Sequence, residues 1–553
     1  MNSNLPNKKM YIFALAYYEI SQIDKDMKRL LFLFFNVIVL LGFAAPTDTI
    51  PPMMPPLPPR YYEFAPQIHL SRNEHLELTN LVIFIRFADD SEFTETLEPI
   101  DQMFNDTTPY NISVYNYFDV MTYGKINYHT VYTNDIQNSV IVSYQDIYPR
   151  AYYQPYSEYN PNGDPPGDAE LKLLGRVLKY VDSLNLVDPD VNLDGNNDGL
   201  IDNISFILKG NVGNWADLLW PHMGYFSAYY AGLPYWFTIN GKVPSCYNFE
   251  FANSGSMFSA NVFCHEMGHS LGIPDLYHYY SYNSIYPVYL WDMMGQNNLQ
   301  QVSAIIKYKF LGIIDEPVEI TQDGHYELNS LTSSDENNCY FIRSAIDPDQ
   351  WYTIEYRNCD DFMDNVPHSG VVIGRWNDNV NMNDIYSAGN GGFDFYNKPH
   401  SYWVFRRNSN IDTVNGQVNQ AAFGYSNRYA FGPGTNPHPY LVDGTPENSF
   451  EITNIHFSGD QASFDVHFFN VGVETHSMSN MDIYPNPTDG IVTVCGTAFT
   501  EVQLFDAYGK LLGSWPSDGE TMQLDLSPYA AGVYIVKVLG PDGTTGVEKV
   551  VKK

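Results

Sequence analysis

The sequence predicts an α+β domain followed by two all-β domains, and three observations support this. Between about residues 78 and 320, apolar runs such as Leu81–Phe87 alternate with amphipathic segments such as residues 168–186, as strands and helices do. From about residue 321, short aromatic and β-branched runs lie between turn residues, which is typical of a β-sandwich. A separate pattern of closely spaced strands fills residues 478–553. The chain of 553 residues is long enough for several such cores.

The N-terminal region resembles an extension that is followed by an export signal. Met27-Lys28-Arg29 precedes the apolar run Leu30–Leu41 and the small residues Ala44-Ala45. We interpret residues 1–45 as an N-terminal extension and signal peptide with Met27 as the true start. The apolar run is too short for a comfortable membrane span, so no integral span is predicted. Residues 46–77 begin with a proline-rich stretch and are predicted to be a linker or a short pro-segment.

The charge balance excludes some partners. The chain has 29 Lys and Arg against 64 Asp and Glu, a net charge of −35 at pH 7. Such an acidic chain is repelled by nucleic acid and by anionic membranes, so neither is expected as a partner. The charge fits a secreted protein that binds calcium.

The five cysteines leave at least one unpaired. Export permits disulfides, and Cys339 and Cys359 flank two strand-like runs and can be bridged, although sequence alone does not fix a pairing. Cys264 is predicted to be a buried packing residue.

The run from His265 to Asp275 carries most of the functional argument, because it reads H-E-x-x-H-x-x-G-x-x-D. On a helix, residues four apart share a face, so His265 and His269 can bind one metal. Two imidazoles suit Zn²⁺, and a catalytic zinc keeps three protein ligands and one water. Glu266 would reach that water as the general base.

The third zinc ligand has more than one candidate. Gly272 is predicted to end the helix, because glycine accepts the left-handed conformation that turns the chain sharply. The turn would bring Asp275 to the metal, while His278 and a more distant carboxylate are the alternatives. The competing interpretation is a helix whose histidines only pack or hydrogen-bond.

A second motif follows about twenty residues later as Trp291-Asp292-Met293-Met294-Gly295. In metzincin-type proteases a methionine in a tight turn lies beneath the zinc as a soft apolar floor. The position of this motif after the helix supports Met294 in that role.

Together, H-E-M-G-H-S-L-G-I-P-D-L-Y and W-D-M-M-G resemble the immune inhibitor A family of secreted bacterial metallopeptidases. Segments at residues 81–90, 113–125 and 219–222 match the same pattern, so the resemblance covers about residues 78–320. It implies a zincin-like (metzincin-like) α+β catalytic domain. Larger relatives carry a long pro-domain ahead of the catalytic region, where this chain has only a short stretch.

Two further features admit a functional and a structural interpretation. The loop Asp194, Asn196, Asp198, Asp202 has the D-x-N-x-D-G-x-x-D spacing of a calcium loop, but Ser205 replaces the expected bidentate Glu. Its alternative is a solvated Asx-turn loop. His222 matches a family position, and either lines the substrate cleft or is a structural residue.

The C-terminal region, residues 478–553, opens with Y-P-N-P-x-x-G and later contains G-x-Y-x-V-x-V. Short strands with close turns predict a small Ig-like antiparallel sandwich. The pattern resembles the C-terminal sorting domain of type IX secretion substrates. It implies export through the periplasm of a Gram-negative bacterium and interaction with the type IX machinery.

The sequence therefore predicts a secreted or surface-attached zinc endopeptidase that hydrolyses peptide bonds of extracellular proteins. A metal-activated water attacks the peptide, and Glu266 is the general base. We expect one catalytic zinc and a structural calcium. The alternative is a catalytically inactive surface adhesin or glycan-binding protein on a protease-like scaffold. The intact Glu266 argues against it.

Overall fold

The computed structural model describes residues 75–553 except 137, 154–160, 162–168, 212–220, 229, 253–257, 278–284, 381–399, 470–480, 497, 508–509, 518 and 542–544. The predicted extension, signal peptide and all but the end of the linker lie outside the described residues. So does His278, the alternative zinc ligand.

Five α-helices and twenty-one strands are described, besides four short 3₁₀ or π helices. The helices are α1 (Glu98–Asn105), α2 (Val114–Met121), α3 (Ala169–Ser183), α4 (Ala260–Ser270) and α5 (Ala304–Ile306). The strands are β1 (Leu76–Arg86), β2 (Ile126–Tyr132), β3 (Tyr144–Gln145), β4 (Asn203–Leu208), β5 (His222–Tyr225), β6 (Cys246–Phe251), β7 (Val318–Glu319), β8 (Gly324–Asn329), β9 (Cys339–Arg343), β10 (Gln350–Arg357), β11 (Gly370–Asn377), β12 (Tyr402–Val404), β13 (Phe450–Ser458), β14 (Gln461–Phe468), β15 (Asp482–Tyr484), β16 (Ile491–Cys495), β17 (Glu501–Asp506), β18 (Leu511–Pro516), β19 (Thr521–Asp525), β20 (Gly532–Leu539) and β21 (Thr545–Lys552).

The first sheet has the order β2-β1-β4-β6-β5, with β3 beside β1. Its strands are parallel except β5, which runs antiparallel to β6. Strands β1, β4 and β6 are buried almost throughout, which explains their nearly continuous apolar sequences.

Helices cover both faces of this sheet. On one face, α1, α2 and α4 contribute Phe104, Tyr117 and Phe263 to a large apolar core. On the other face, α3 supplies a stripe that includes Leu174 and Val177 to a second core. The structure is thus mixed α/β in this region, and α4 occupies the first face.

A second sheet, with the order β12-β11-β10-β9-β7, shares the large core with α4. Trp291 and Met293, close to the end of α4 in the fold, lie in the same apolar cluster as Trp351 and Trp376 of β10 and β11. Strands β13, β14 and β8 form a further sheet. The boundary predicted at residues 320 and 321 falls inside this first compact unit, which extends to Glu447 and includes Ile452–Asp465.

The second compact unit comprises Asn448–Glu451 and Val466–Lys553. It contains the sheets β15-β16-β19 and β18-β17-β20-β21, whose inward side chains such as Val492, Leu504 and Val536 form a separate core. Alternation of buried and exposed residues along β16 and β17 is the pattern of sheets with one solvated face.

All five cysteines are free thiols. The proposed bridge between Cys339 and Cys359 is therefore not formed, since Cys339 is buried in the core while Cys359 is exposed. Cys264 is buried as predicted, and burial raises the pKa of its thiol well above its usual value. Within the described part of the chain, no helix is both long enough and apolar enough to cross a membrane.

Candidate metal centre

Helix α4 brings the first two predicted ligands together. It follows Ser259, whose extended backbone starts the helix without a side-chain cap bond. His265 and His269 lie one turn apart, with ring centroids separated by 5.0 Å. Potential ligand atoms of His265, Glu266 and His269 all lie within 4.8 Å of one another, a spacing that suits a metal ion.

Backbone carbonyls fix the tautomer of both imidazoles. Nδ1 of His265 lies 3.0 Å from the carbonyl oxygen of Met293, and Nδ1 of His269 lies 2.7 Å from that of Ile273. A carbonyl only accepts, so each Nδ1 carries a proton and donates it. Each Nε2 is then the atom left for a metal, the arrangement expected of histidine ligands.

A glycine turn returns the chain to these histidines. Gly272 has φ of +84°, and its N–H donates to the carbonyl of His269. The N–H of Ile273 donates to the carbonyl of Gly268 at 3.2 Å, which completes a Schellman motif. Three residues after Gly272 the chain presents the carboxylate of Asp275.

Asp275 lies between the two imidazoles, with Oδ1 at 3.2 Å from Nε2 of both His265 and His269. Ligands of a tetrahedral zinc, at the usual Zn–N and Zn–O lengths, are about 3.3 Å apart. The three residues therefore fit zinc. The same spacing also fits two histidinium–carboxylate hydrogen bonds. Tyr277, the last residue of the H-E-M-G-H-S-L-G-I-P-D-L-Y run, to which the sequence assigns no role, lies close enough to interact with Asp275.

The electrostatic surroundings of His265 and His269 favour positive charge on both side chains. Burial lowers the pKa of His269, but the Asp275 carboxylate outweighs it and raises the pKa to about 9. Burial and Asp275 act on His265 in the same opposed way, and its pKa is raised. The pKa of Asp275 is lowered far below its usual range, because the two histidines overcome the effect of burial. The negative potential that stabilises these protons would also stabilise a divalent cation.

Met294 packs against the same helix. Its sulfur would lie 3.3 Å from a Cβ placed on Gly268, so the small residue allows the methionine to approach the helix closely. Met294 is fully buried. The turn that carries it also supplies, through Met293, the carbonyl that accepts from His265.

Polar side chains anchor the C-terminal end of α4 to the sheet. Oγ of Ser270 donates to Oδ1 of Asn203 at 2.7 Å, and Nδ2 of Asn203 donates to Oδ1 of both Asn80 and Asn248. Asn80 and Asn203 are register partners on β1 and β4, and all four side chains are buried. A helix joined to three strands in this way has little freedom to rotate.

A buried carboxyl lies in the electrostatic field of Glu266. Glu250 on β6 is fully buried, and neither of its side-chain oxygens makes a hydrogen bond within the described residues. Burial, followed by repulsion from Glu266, raises the pKa of Glu250 well above 4.5. Burial and the neighbouring Glu266 therefore both favour the protonated form of Glu250.

Comparison with known proteins identifies the tail. Residues 482–553 match the family model of the secretion system C-terminal sorting domain. The chain carries a type IX sorting tail. The prediction made for this region is confirmed, and the tail marks the chain as a secreted or cell-surface protein.

Other comparisons add little. A search of curated proteins finds no match. One similar solved structure is PorZ, an essential bacterial surface component of the type-IX secretion system of Porphyromonas gingivalis, at 14% identity and a TM-score of 0.12. The match covers 39% of this chain and 30% of that one, and with so low a TM-score it carries no conclusion.

The contacts of His222 are those of a buried structural residue. It lies on β5 and is buried, with Nε2 3.1 Å from a carboxylate oxygen of Glu170 on α3. Its ring packs against Tyr247 and Phe249, which belong to the core beneath α3. These contacts favour the structural interpretation over the cleft.

The predicted calcium loop is organised by hydrogen bonds. Asp194 accepts from the N–H groups of Asp198 and Gly199, each at 2.9 Å, and pairs with Lys242 at 2.6 Å. Asp202 accepts from the N–H groups of Thr79 and Gly195. Asn196 donates to Asp198 at 3.0 Å. This geometry is that of the Asx-turn alternative, and calcium binding remains a prediction.

Proposed function

We propose that the protein is a secreted zinc endopeptidase. The observation that carries the proposal is the position of Asp275, with one oxygen equidistant from Nε2 of His265 and His269. Together with Glu266 beside them, these residues supply the three ligands and the base of a catalytic zinc site. The resemblance to the immune inhibitor A family points to the same activity.

The chain's residues have separate tasks in this proposal. Zinc, when bound, polarises the scissile carbonyl and lowers the pKa of a water molecule. Glu266 accepts the proton as the water attacks, and later delivers it to the leaving amine. Met293 and Ile273 hold the imidazoles through their carbonyls, so that both Nε2 atoms keep their direction. Tyr277 and the Gly272 turn hold Asp275.

An endopeptidase also needs space for a chain on both sides of the cleaved bond. We expect unfolded or flexible proteins to be the substrates, because an extended segment of such a chain can reach the partly buried cluster of His265, Glu266 and His269.

The test compares the wild type with Glu266→Gln, which keeps the shape of the side chain but removes the base. We expect about one zinc per chain in both proteins. Casein digestion should fall about 10²–10⁴-fold in the variant, the usual contribution of a positioned general base. The matched control is Glu95→Gln, which changes an exposed glutamate, and this variant should cleave casein like the wild type.

Two results would count against the proposal. Absence of zinc from the folded wild type would leave the histidine–aspartate cluster as a structural hydrogen-bonded group. Zinc without proteolysis in the wild type would instead favour the adhesin alternative.

A further inference from the structure

The turn Trp291–Gly295 holds two of the proposed ligands through consecutive carbonyls. The carbonyl of Met293 accepts from Nδ1 of His265 at 3.0 Å. The carbonyl of Met294 accepts from the N–H of Leu276 at 2.8 Å, directly beside Asp275. Any displacement of this turn would therefore move the His265 ring and the Asp275 backbone together.

Asp292 holds the turn from inside. Its Oδ1 accepts from the N–H of Met294 at 2.9 Å, and its Oδ2 accepts from both the N–H and the hydroxyl of Ser303 at 2.7 Å. Its own carbonyl accepts from Nε2 of Gln300 at 3.0 Å. The side chain is fully buried. Burial raises its pKa, while the hydrogen bonds from Ser303 and Met294 act against that rise.

Arg357 holds the turn from the second sheet. It is fully buried at the end of β10, and its Nη1 donates to the carbonyl of Trp291. Its Nη2 donates to the carbonyl of Gln301 at 3.1 Å, and Nε and Nη2 form a bidentate pair with Asp364. Glu355, on the same strand, accepts from Nη1 at 3.2 Å and from the N–H of Ala304 at 2.8 Å.

A buried ionic cluster of this kind is poor as a source of stability. Removing such charges from water costs about as much as their attraction returns, and apolar residues of equal volume often stabilise a core more. What the cluster does impose is a single geometry, because each donor and acceptor is satisfied in only one arrangement. That geometry is imposed on the turn that holds His265 and Asp275.

We propose that Asp292 and Arg357 are positioning residues of the zinc centre, acting through the carbonyls of Met293 and Met294. This inference rests on the proposed function. It makes the second sheet a component of the catalytic unit, since Arg357 belongs to β10. Partners that orient metal ligands typically change metal affinity or activity 10- to 100-fold when removed, so an effect of about that size is expected.

The test uses the full-length protein with Asp292→Asn and Arg357→Lys. Asparagine replaces an acceptor oxygen with a donor that opposes N–H groups, and lysine keeps the charge but loses the planar fork. Asp412→Asn is the matched control, because Asp412 pairs with buried Arg375 of β11 at 2.5 Å, in the same sheet but with no bond to the turn. The measurements are zinc affinity by chelator competition, kcat and KM, and unfolding by urea.

We expect the Asp292 and Arg357 variants to bind zinc about 10- to 100-fold more weakly. Their kcat should fall while KM stays within about twofold, because the substrate-binding surface is untouched. Asp412→Asn should lose stability while zinc affinity and kcat stay at the wild-type level. Ser303→Ala removes a single hydrogen bond to Asp292. It should weaken zinc binding by a smaller factor, and it is the test variant if the other two do not fold.

The inference is overturned if the Asp292 and Arg357 variants lose only stability, as the control does. That failure is distinct from failure of the proposed function, in which the wild type itself would contain no zinc or cleave no protein.

Discussion

At the residue scale, buried Glu250 makes the stability of the fold depend on pH. A buried carboxyl without a hydrogen bond in the described structure destabilises the protein, and it does so far more when it is ionised than when it is protonated. The unfolded chain releases this proton above about pH 4.5, whereas the folded chain retains it because burial raises the pKa. Ionisation of Glu250 therefore does not reduce the free energy of unfolding below pH 4.5, and reduces it progressively as the pH rises towards the raised pKa.

Glu250→Gln removes this dependence, because glutamine cannot ionise. We expect the variant to be more stable than the wild type at pH 7 to 8 and about equal near pH 4, with the difference growing by at most about 1.4 kcal/mol per pH unit. Urea unfolding across this pH range measures it. Parallel pH profiles for the two proteins would mean that Glu250 is ionised in the folded state.

The residues of the candidate site divide into those that local sequence predicts and those that it does not. His265, Glu266, His269 and Asp275 lie within eleven consecutive residues, so helix geometry and one glycine turn suffice to bring them together. Glu250 and Arg357 reach the site only through strand pairing and sheet packing, which the sequence does not specify. Asp292 belongs to the W-D-M-M-G motif, but its role depends on Ser303 and Arg357, which bind the same turn and lie outside the motif.

At the element scale, the end of α4 depends on Gly272. Its φ of +84° is unfavourable for any residue with a Cβ, and the turn it makes delivers Asp275 to the histidines. We expect Gly272→Ala to destabilise the protein by about 1 kcal/mol and to weaken zinc binding as well. Gly434 is the matched control, because it has φ of +86° and no other atom within 4 Å of the position that a Cβ would take. Gly434→Ala should cost about the same stability and leave zinc binding intact, and equal zinc affinity in both variants would contradict this account.

The loop from Asp194 to Asp202 is the element for which calcium binding is predicted. Calcium would have to displace the ammonium of Lys242 from Asp194. We expect calcium to raise the unfolding temperature, because it would bind the folded state alone. Asp198→Ala should abolish most of that gain, and Lys242→Met should increase it. Identical melting curves with calcium and with a calcium-selective chelator would leave the loop as a hydrogen-bonded turn.

At the scale of the whole molecule, the chain consists of a first compact unit, for which we propose catalysis, and a second unit that contains the sorting tail. The strand periodicity predicted strands on both sides of residue 320, but not that the first two sheets share one core. That sharing depends on packing between distant parts of the sequence, because Trp291, Trp351 and Trp376 belong to one apolar cluster. The tail was predictable because its motif and its closely spaced strands are local features.

Truncation within residues 470–480 tests the independence of the two units. The tail has its own core, so its removal should leave peptidase activity within about twofold of the full-length protein. In the native host the truncated protein should accumulate in the periplasm. Normal surface delivery would show that another segment directs export, and loss of activity in a folded truncated protein would make the tail part of the catalytic unit.

X-ray absorption at the zinc edge of the purified protein tests the central claim most directly. We predict one zinc with two imidazole nitrogens at about 2.0–2.1 Å and a carboxylate oxygen at about 2.0–2.2 Å. A shell with three imidazoles would transfer the third position from Asp275 to His278. A folded protein without zinc would contradict the claim.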